Sequence, residues 1–544
     1  MSVINPPIPD FLYLLNIYDF LRFDKERFMN ITTAYIVTFI ASFCILVIEI
    51  VAGRILAPFV GVSLYTWTSI IGVVLAGISI GAYLGGKLAD RFPGRKTLGW
   101  ILLLSGIATL SIPPVTNLVA GYKFPTFLML RILIVTTITF FMPSSILGMI
   151  SPVIIKLTVR NLEKVGNVVG KVYAFSTLGS IAGTFAAGFF LISWIGTRHI
   201  ILVMGGILIL TAVVWGSLFK KMKPAIGFLL LPPFLLAGVY NYGFKPRIDS
   251  YTEYYKESDY YTIKVRHTSN PDGEILQALI LDNLTHSYVN LNNPLHLEYQ
   301  YERIYSEILR WKFKKDSPFR SLTIGGGGYT FPRYMEVFYP KAGIDVVEID
   351  PEITRVAYKY LGLPQDTGIR TYNEDGRWFV MNCNERYDLI FIDAYNDLSI
   401  PFHLTTKEFA RLLNDIMNPD SILLTNIIDN FQKGSFLPSY IRTLAEVFGK
   451  GNIHVISVSN DFEKRGPSTY IILTVKGNIK IKDFEEYLKD SFGDEAISKV
   501  VPEKILNKFL EKEYSVVLRD DYAPVDNLIA PVFEERFGYN RKNR

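Results

Sequence analysis

Cysteine is nearly absent, with only Cys44 and Cys383 in 544 residues. The first sits inside an apolar run and the second far away in a polar half, so a disulfide framework is excluded and no thiol cluster for a metal can be built. No metal is expected. Charge of one sign is missing too, because 56 basic residues nearly offset 51 acidic ones and leave a net +5. Nucleic acid is therefore not an expected partner, and positive charge matters through its placement in loops. The opening stretch MSVINPPIPDFLYLLNIYDFLRFDKERF lacks a basic n-region, a compact apolar core and a small-residue cleavage site, so it does not read as a removable signal peptide. Residues 1–30 are expected to lie as an amphipathic segment at a membrane interface.

What is abundant is apolar sequence, at 49% of residues, and it is concentrated in the first half. A helix needs about 20 apolar residues to cross a hydrocarbon core roughly 30 Å thick. Runs near 31–51, 66–86, 98–118, 127–149, 172–194, 200–218 and 225–242 suggest about seven spans in a multi-pass domain covering 31–243. The last run carries Pro232 and Pro233 and the fourth reaches Pro143 and Pro152, so either is a candidate for a re-entrant or broken helix. Gly77, Gly81 and Gly85 recur every four residues and form one face on which another helix can approach closely. Glu49, near the end of the first run, is close enough to the boundary to reach interfacial water. Basic residues follow the second run (Lys87, Arg91, Arg95, Lys96), the fourth (Lys156, Arg160, Lys164, Lys171) and the sixth (Lys220, Lys221, Lys223), so these loops are expected to be cytoplasmic. The loop GGKLADRFPGRK is similar to the one joining the second and third helices of major facilitator transporters, with one residue too many before Gly94.

From about Pro246 strand-like and helix-like runs alternate, as in an α/β domain with a mostly parallel sheet. YYTIKVRHT and EILQALILDN flank the turn SNPDG and read as a hairpin, placing a small β subdomain at 244–295. Strands are then expected at SLTIGG, IDVVEID, IRTYNED, YDLIFIDAY, SILLTNII and IHVISVS within a Rossmann-like, class I methyltransferase-like domain over 296–480. An α/β extension follows over 481–544.

Ligands on such sheets bind at the carboxyl ends of the strands, and four successive ends carry distinctive residues. Gly325, Gly326, Gly327 and Gly328 close the first, where backbone N–H groups can approach a polar ligand at a helix start. The dinucleotide fingerprint fails, because Thr330 stands where its sixth-place glycine belongs. Glu348 closes the second strand, about 20 residues on, where a carboxylate can accept both hydroxyls of a ribose. Asp375, followed by Gly376, closes the third and is placed to accept from an adenine amino group; Asp393 closes the fourth. Taken singly, each acid reads equally as a solvated residue or a helix N-cap. Together they describe a pocket for an adenosine-containing ligand.

The motifs LILDNLTHSY, LEYQYERI, IGGGGYT, VVEID, EDGRWF and LIFIDAYNDLSIPFHLTTKEF resemble, in order and spacing, the spermidine synthases or polyamine aminopropyltransferases over roughly Tyr260 to Val475. The apolar half resembles membrane-embedded members of that superfamily. The resemblance implies that Glu348 holds a ribose, that Asp375 with Gly376 holds adenine, that Asp393 is the catalytic base and that Tyr301 lines the substrate pocket. It also marks departures: Gly328 stands where soluble synthases usually carry an aspartate, His286 where they carry a glutamine, and Asn396 in place of the second acid of Asp-x-x-Asp, with Asp397 one residue late. The implied reaction moves an aminopropyl group from decarboxylated S-adenosylmethionine, a co-substrate rather than a tightly bound cofactor, to a small-molecule amine at a bilayer. Two alternatives stay open, an S-adenosylmethionine-dependent methyltransferase and a non-catalytic transporter or sensor. The sequence allows a homo-oligomer without specifying one. The implied location is a multi-pass protein of the cell membrane with its polar domain in the cytoplasm.

Overall fold

The computed structural model describes residues 29–120, 122, 128–159, 162–216, 248–282, 284–394, 400–462, 466–511 and 515–537. Residues 1–28 of the interfacial segment expected at 1–30, and the seventh apolar run, lie outside them. The chain divides into two compact units, the second made mainly of Ile248–Arg544.

Among its described residues the first unit contains six helices long and apolar enough to cross a membrane: Ile31–Val60, Leu64–Arg91, Arg95–Val119, Met129–Thr158, Val165–Ile195 and Thr197–Trp215. Large apolar side chains such as Leu75, Leu104, Ile107, Leu118, Phe189 and Leu210 stand exposed. An outward apolar surface of this kind suits lipid better than water. The proline-bearing fourth helix is continuous apart from a single turn residue, Met149, and it absorbs Pro143 through a wider π turn at Thr137–Phe141. Ser145 Oγ donates to Phe141 O at 2.8 Å, satisfying a carbonyl in that disturbed stretch.

Gly77, Gly81 and Gly85 face this fourth helix. A Cβ at Gly77 would come within 2.8 Å of Ser144 Cβ, one at Gly85 within 2.6 Å of Met149 Cα, and one at Gly81 would overlap the Ser145 carbonyl. Gly148 answers from the other side, since its Cβ would meet Ile78 O at 2.6 Å. Contacts that advance together in number mean the second and fourth helices run parallel, and their ends meet where Lys156 Nζ pairs with Asp90 at 2.6 Å.

The second unit holds two sheets. β1 (Thr252–Glu257), β2 (Thr262–Ser269), β3 (Ile275–Leu281) and β4 (Leu284–Val289) form a four-stranded antiparallel sheet in chain order. The eight-stranded sheet contains β5 (Arg320–Ile324), β6 (Gly343–Val347), β7 (Arg370–Tyr372), β8 (Tyr387–Ile392), β9 (Met417–Asp429), β10 (Ile453–Ser457), β11 (Ser468–Val475) and β12 (Lys499–Val500). Their order is β12-β10-β11-β9-β8-β5-β6-β7.

From β7 to β9 all pairings are parallel. The run STYIILTV was not expected to be a strand, yet as β11 it inserts antiparallel between β9 and β10, so the sheet is mixed. The chain winds outward from β5 through β6 to β7 and then returns to the other side of β5 as β8. This reversal opens a crevice beyond the carboxyl end of β5, the place where open α/β sheets bind ligands. The helix Gln300–Lys312 packs Tyr305, Ile308 and Leu309 into the core on one face, with Phe331, Tyr334 and Phe391 as neighbours. Its first turn is thereby held over the crevice.

The glycine seam generates a stability test. Gly81→Leu should abolish cooperative folding of the detergent-solubilised protein or lower its melting temperature sharply, because backbone lies where the side chain must go. Gly72→Leu and Gly86→Leu, at positions with open space around them, should melt like the parent.

Candidate active site

β5 ends at Ile324 and the chain enters the next helix through Gly325–Tyr329. Gly325 has φ +99°, and a Cβ there would overlap the Asp393 carbonyl, so only glycine lets the loop lie against the end of β8. Its N–H donates to Val347 O at 2.8 Å, and Asp393 N–H donates to Ile324 O at 2.9 Å. The ends of β5, β6 and β8 are thus tied together by backbone bonds.

Glu348 fastens the loop. Its Oε2 accepts from Gly326 N–H at 2.7 Å and more weakly from Gly327 N–H at 3.4 Å, while Oε1 accepts from Asp350 N–H at 2.9 Å. Burial pushes this carboxyl above the usual range, against the opposing pull of those N–H groups. A carboxylate offers about four acceptor positions, so the group can grip the loop and still accept from a ligand hydroxyl.

Asp375 turns out to be a helix N-cap as well as a pocket residue. Its Oδ1 accepts from Arg377 and Trp378 N–H at 2.9 and 3.0 Å. Its Oδ2 lies 2.9 Å from His403 Nε2. Burial alone would raise the Asp375 carboxyl, but the cap and His403 hold it below the usual range. Gly376 lets the helix start close to the sheet, because a Cβ there would stand 2.5 Å from Ile324 Cγ2.

Asp393 is half-buried. Asn426 Nδ2 donates to its Oδ1 at 2.9 Å and the Tyr301 hydroxyl donates to it as well, yet burial outweighs both and pushes its pKa up to about 6. Beside Tyr301, Glu302 is 3% exposed, and burial with the nearby Asp393 charge pushes it up to about 8.

These groups line two adjoining cavities. The first is bounded by Tyr261, Leu281, Val347, Glu348, Asp375 and His403. The second is bounded by Tyr301, Glu302, Tyr305, Thr323, Phe331 and Phe391. His286, Gly325, Gly327 and Asp393 border both. Of the residues singled out from sequence, Gly325, Gly326, Gly327, Glu348, Asp375, Gly376, Asp393, His286 and Tyr301 come together here; Asn396 and Asp397 lie outside the described residues. At Gly328 a Cβ would stand 2.5 Å from Ser287 Cβ, and its N–H donates to Ser287 Oγ at 2.8 Å, so an aspartate would not fit without displacing β4.

Sequence reading missed Glu302, His403, Asn426 and Ser287. Glu302, Ser287 and His403 were within quoted motifs and Asn426 within the expected strand SILLTNII. None of the four carried a local signal of its own, because the tertiary fold is what brings them to the site.

Residues 304–457 match the family model for the spermine/spermidine synthase domain. The matched residues all lie in the second unit. Among curated relatives, a probable polyamine aminopropyl transferase from Bifidobacterium longum is 30% identical over 223 residues, covering 39% of this chain and 49% of the relative. Polyamine aminopropyltransferase 2 from Aquifex aeolicus is 23% identical over 436 residues, covering 76% of this chain and 83% of that one. This alignment is longer than everything after Arg247, so it extends into the apolar half. A solved structure of a probable spermidine synthase from Corynebacterium glutamicum matches with TM-score 0.42 and 18% identity, covering 52% of this chain and 99% of that chain. The chain spans about half the length of the Bifidobacterium relative.

The raised Asp393 carboxyl generates a stability test. Because its folded-state pKa lies above the ordinary carboxylate value, its protonated form favours folding, and that contribution is lost as pH rises through about 6. At about pH 7.5 Asp393→Asn should therefore melt higher than the parent, with the gap closing toward about pH 5. A lower melting temperature for the variant across this range would contradict the burial argument.

Proposed function

We propose that this protein is a membrane-embedded polyamine aminopropyltransferase. The observation that carries the reading is Asp393, a half-buried carboxylate poised near neutrality at the junction of two cavities, which we assign to an adenosyl group and to an amine. The match to the synthase domain and the named relatives support the same reading.

In the first cavity Glu348 accepts from the ribose hydroxyls, and Asp375 with the Gly376 backbone faces the adenine edge. Tyr261, Leu281 and Val347 supply apolar surface. The donor, decarboxylated S-adenosylmethionine, brings a sulfonium whose neighbouring aminopropyl carbon is open to attack. The protein's task is then positioning and proton transfer. An alkylamine resembles lysine, with a pKa of about 10.4, and arrives protonated. Asp393 attracts the ammonium and accepts its proton as the nitrogen lone pair bonds to the aminopropyl carbon. The C–S bond breaks with its electrons on sulfur, and neutral methylthioadenosine leaves. Tyr301 and Asn426 orient Asp393 through their hydrogen bonds.

The six apolar helices, in this reading, cross the bilayer. An even number returns the chain to the side from which it started, and the basic residues after the second, fourth and sixth helices mark that side as cytoplasmic. The catalytic unit then faces the cytosol, where its donor is made. Reporter fusions after Tyr242 should be active as cytoplasmic fusions; activity confined to the exterior would reverse the topology.

Product analysis tests the chemistry. The purified protein should release methylthioadenosine in an amine-dependent manner from decarboxylated S-adenosylmethionine, and Asp393→Asn should lower kcat by about 10²- to 10⁴-fold while leaving donor binding intact. S-adenosylhomocysteine formed from S-adenosylmethionine would instead identify a methyltransferase. No turnover across a panel of di- and polyamines would favour a sensor.

A further inference from the structure

Glu302 is a buried acid that the proposed reaction does not yet use. Its neighbours in the fold show what a buried acid with a purely structural role looks like. Glu307, one helical turn on, accepts from Ile497 and Ser498 N–H at 2.9 and 2.8 Å. Asp345 is held by Arg320, Arg370 and the Tyr387 hydroxyl. Asp429 accepts from Asn430 and Leu437 N–H, both at 2.7 Å. Glu302 differs: the Tyr299 N–H reaches its carboxylate across the first helical turn, but Oε2 is buried without a hydrogen bond. Among the described residues it is the one carboxylate oxygen in that condition.

A buried acceptor left unmatched is costly unless a ligand completes it. Oε2 belongs to a residue lining the second cavity, whose walls carry Asp393 as well but no lysine or arginine. The groups facing Glu302 are Asp393 at the end of β8, Tyr301 and Tyr305 on its own helix, and His286 on β4; the adjacent Arg303 and the preceding Glu298 also act on it, with opposite signs. Two acids against one lining imidazole make a cavity for a cation. The rings of Tyr305 and Phe391, 4.9 Å apart, offer faces and edges for an alkyl chain beside that charge.

We propose that Glu302 is a second acceptor-binding carboxylate, which pairs with Asp393 to select a cationic alkylamine and supplies within this cavity the negative charge that Gly328 cannot. The assignment rests on the aminopropyltransferase reading for the identity of the acceptor but not for the charge of the ligand. Because Glu302 is pushed up to about 8 in the empty cavity, binding of an ammonium at neutral pH draws it to the carboxylate and releases its proton.

Glu302→Gln separates this role from a structural one. Glutamine preserves the reach back to the helix N-terminus as well as glutamate does, so folding should be unaffected. With the full chain in detergent and methylthioadenosine present, calorimetry with 1,4-diaminobutane should show at least about tenfold weaker binding in Glu302→Gln, a step of about 1.4 kcal/mol. Proton release, read from the dependence of the heat on buffer ionisation, should disappear in the variant. In turnover assays the acceptor KM should rise while the donor KM stays constant, and Glu302→Asp should recover part of the loss. If diamine binding falls in the variant but the parent never forms methylthioadenosine, the enzyme reading fails and the cation site stands. Equal diamine binding by the two proteins, or none by the parent, would overturn the role of Glu302.

Discussion

The Glu348 carboxylate, bonded at once to the glycine loop and to the start of the following turn, is the contact on which the site depends. It joins the ends of β5 and β6 across the point where the strand order reverses. Without that grip the loop would have no reason to lie flat, since glycine is the residue that loses most conformational freedom on ordering. With it, Gly325 is pressed against the Asp393 carbonyl and the third member, β8, comes into register. One acid on one strand end thereby fixes the separation of the two cavities.

The same crevice concentrates carboxyl groups whose environments pull them apart. Asp375, capped and beside His403, is held ionised, whereas Asp393 and Glu302 are raised by burial. That division suits a site in which one acid serves recognition in its charged form while another must exchange a proton near neutrality. It also explains the shape of the helix Gln300–Lys312. Its hydrophobic side anchors it in the core, with Tyr305 4.9 Å from Phe391 of β8, while its first turn carries Tyr301 and Glu302 to the cavity wall, so core packing sets the position of that wall.

Legibility in the sequence followed locality. Glu348, Asp375 and Asp393 could be found because parallel strands announce themselves as apolar runs and the sheet places their ends in one row. The hairpin at SNPDG was readable because turn chemistry is local, and β2 and β3 pair across it. β11 was missed because its placement between β9 and β10 is decided by the sheet and not by any feature of STYIILTV itself. Asp375 carried two readings, cap and ligand, and the structure shows the cap without removing the residue from the pocket lining. Glu302 was hidden by its neighbours in sequence: between Tyr301 and Arg303 it looks like any charged residue of a helix surface, and only the tertiary fold makes it 3% exposed.

The apolar unit obeys a different constraint. Between helices already surrounded by apolar matter, association depends on close approach rather than on water release, and the Gly77, Gly81, Gly85 face provides it against Ser144, Ser145 and Met149. A seam in which a Cβ would strike backbone along two turns leaves little room for sliding, which argues against a moving transport surface at this contact. The alignment with the Aquifex aeolicus relative reaches into this half of the chain. In the reading proposed above, a rigid helical unit is better suited to holding an enzyme at the bilayer, near a membrane-associated amine, than to carrying a substrate across it.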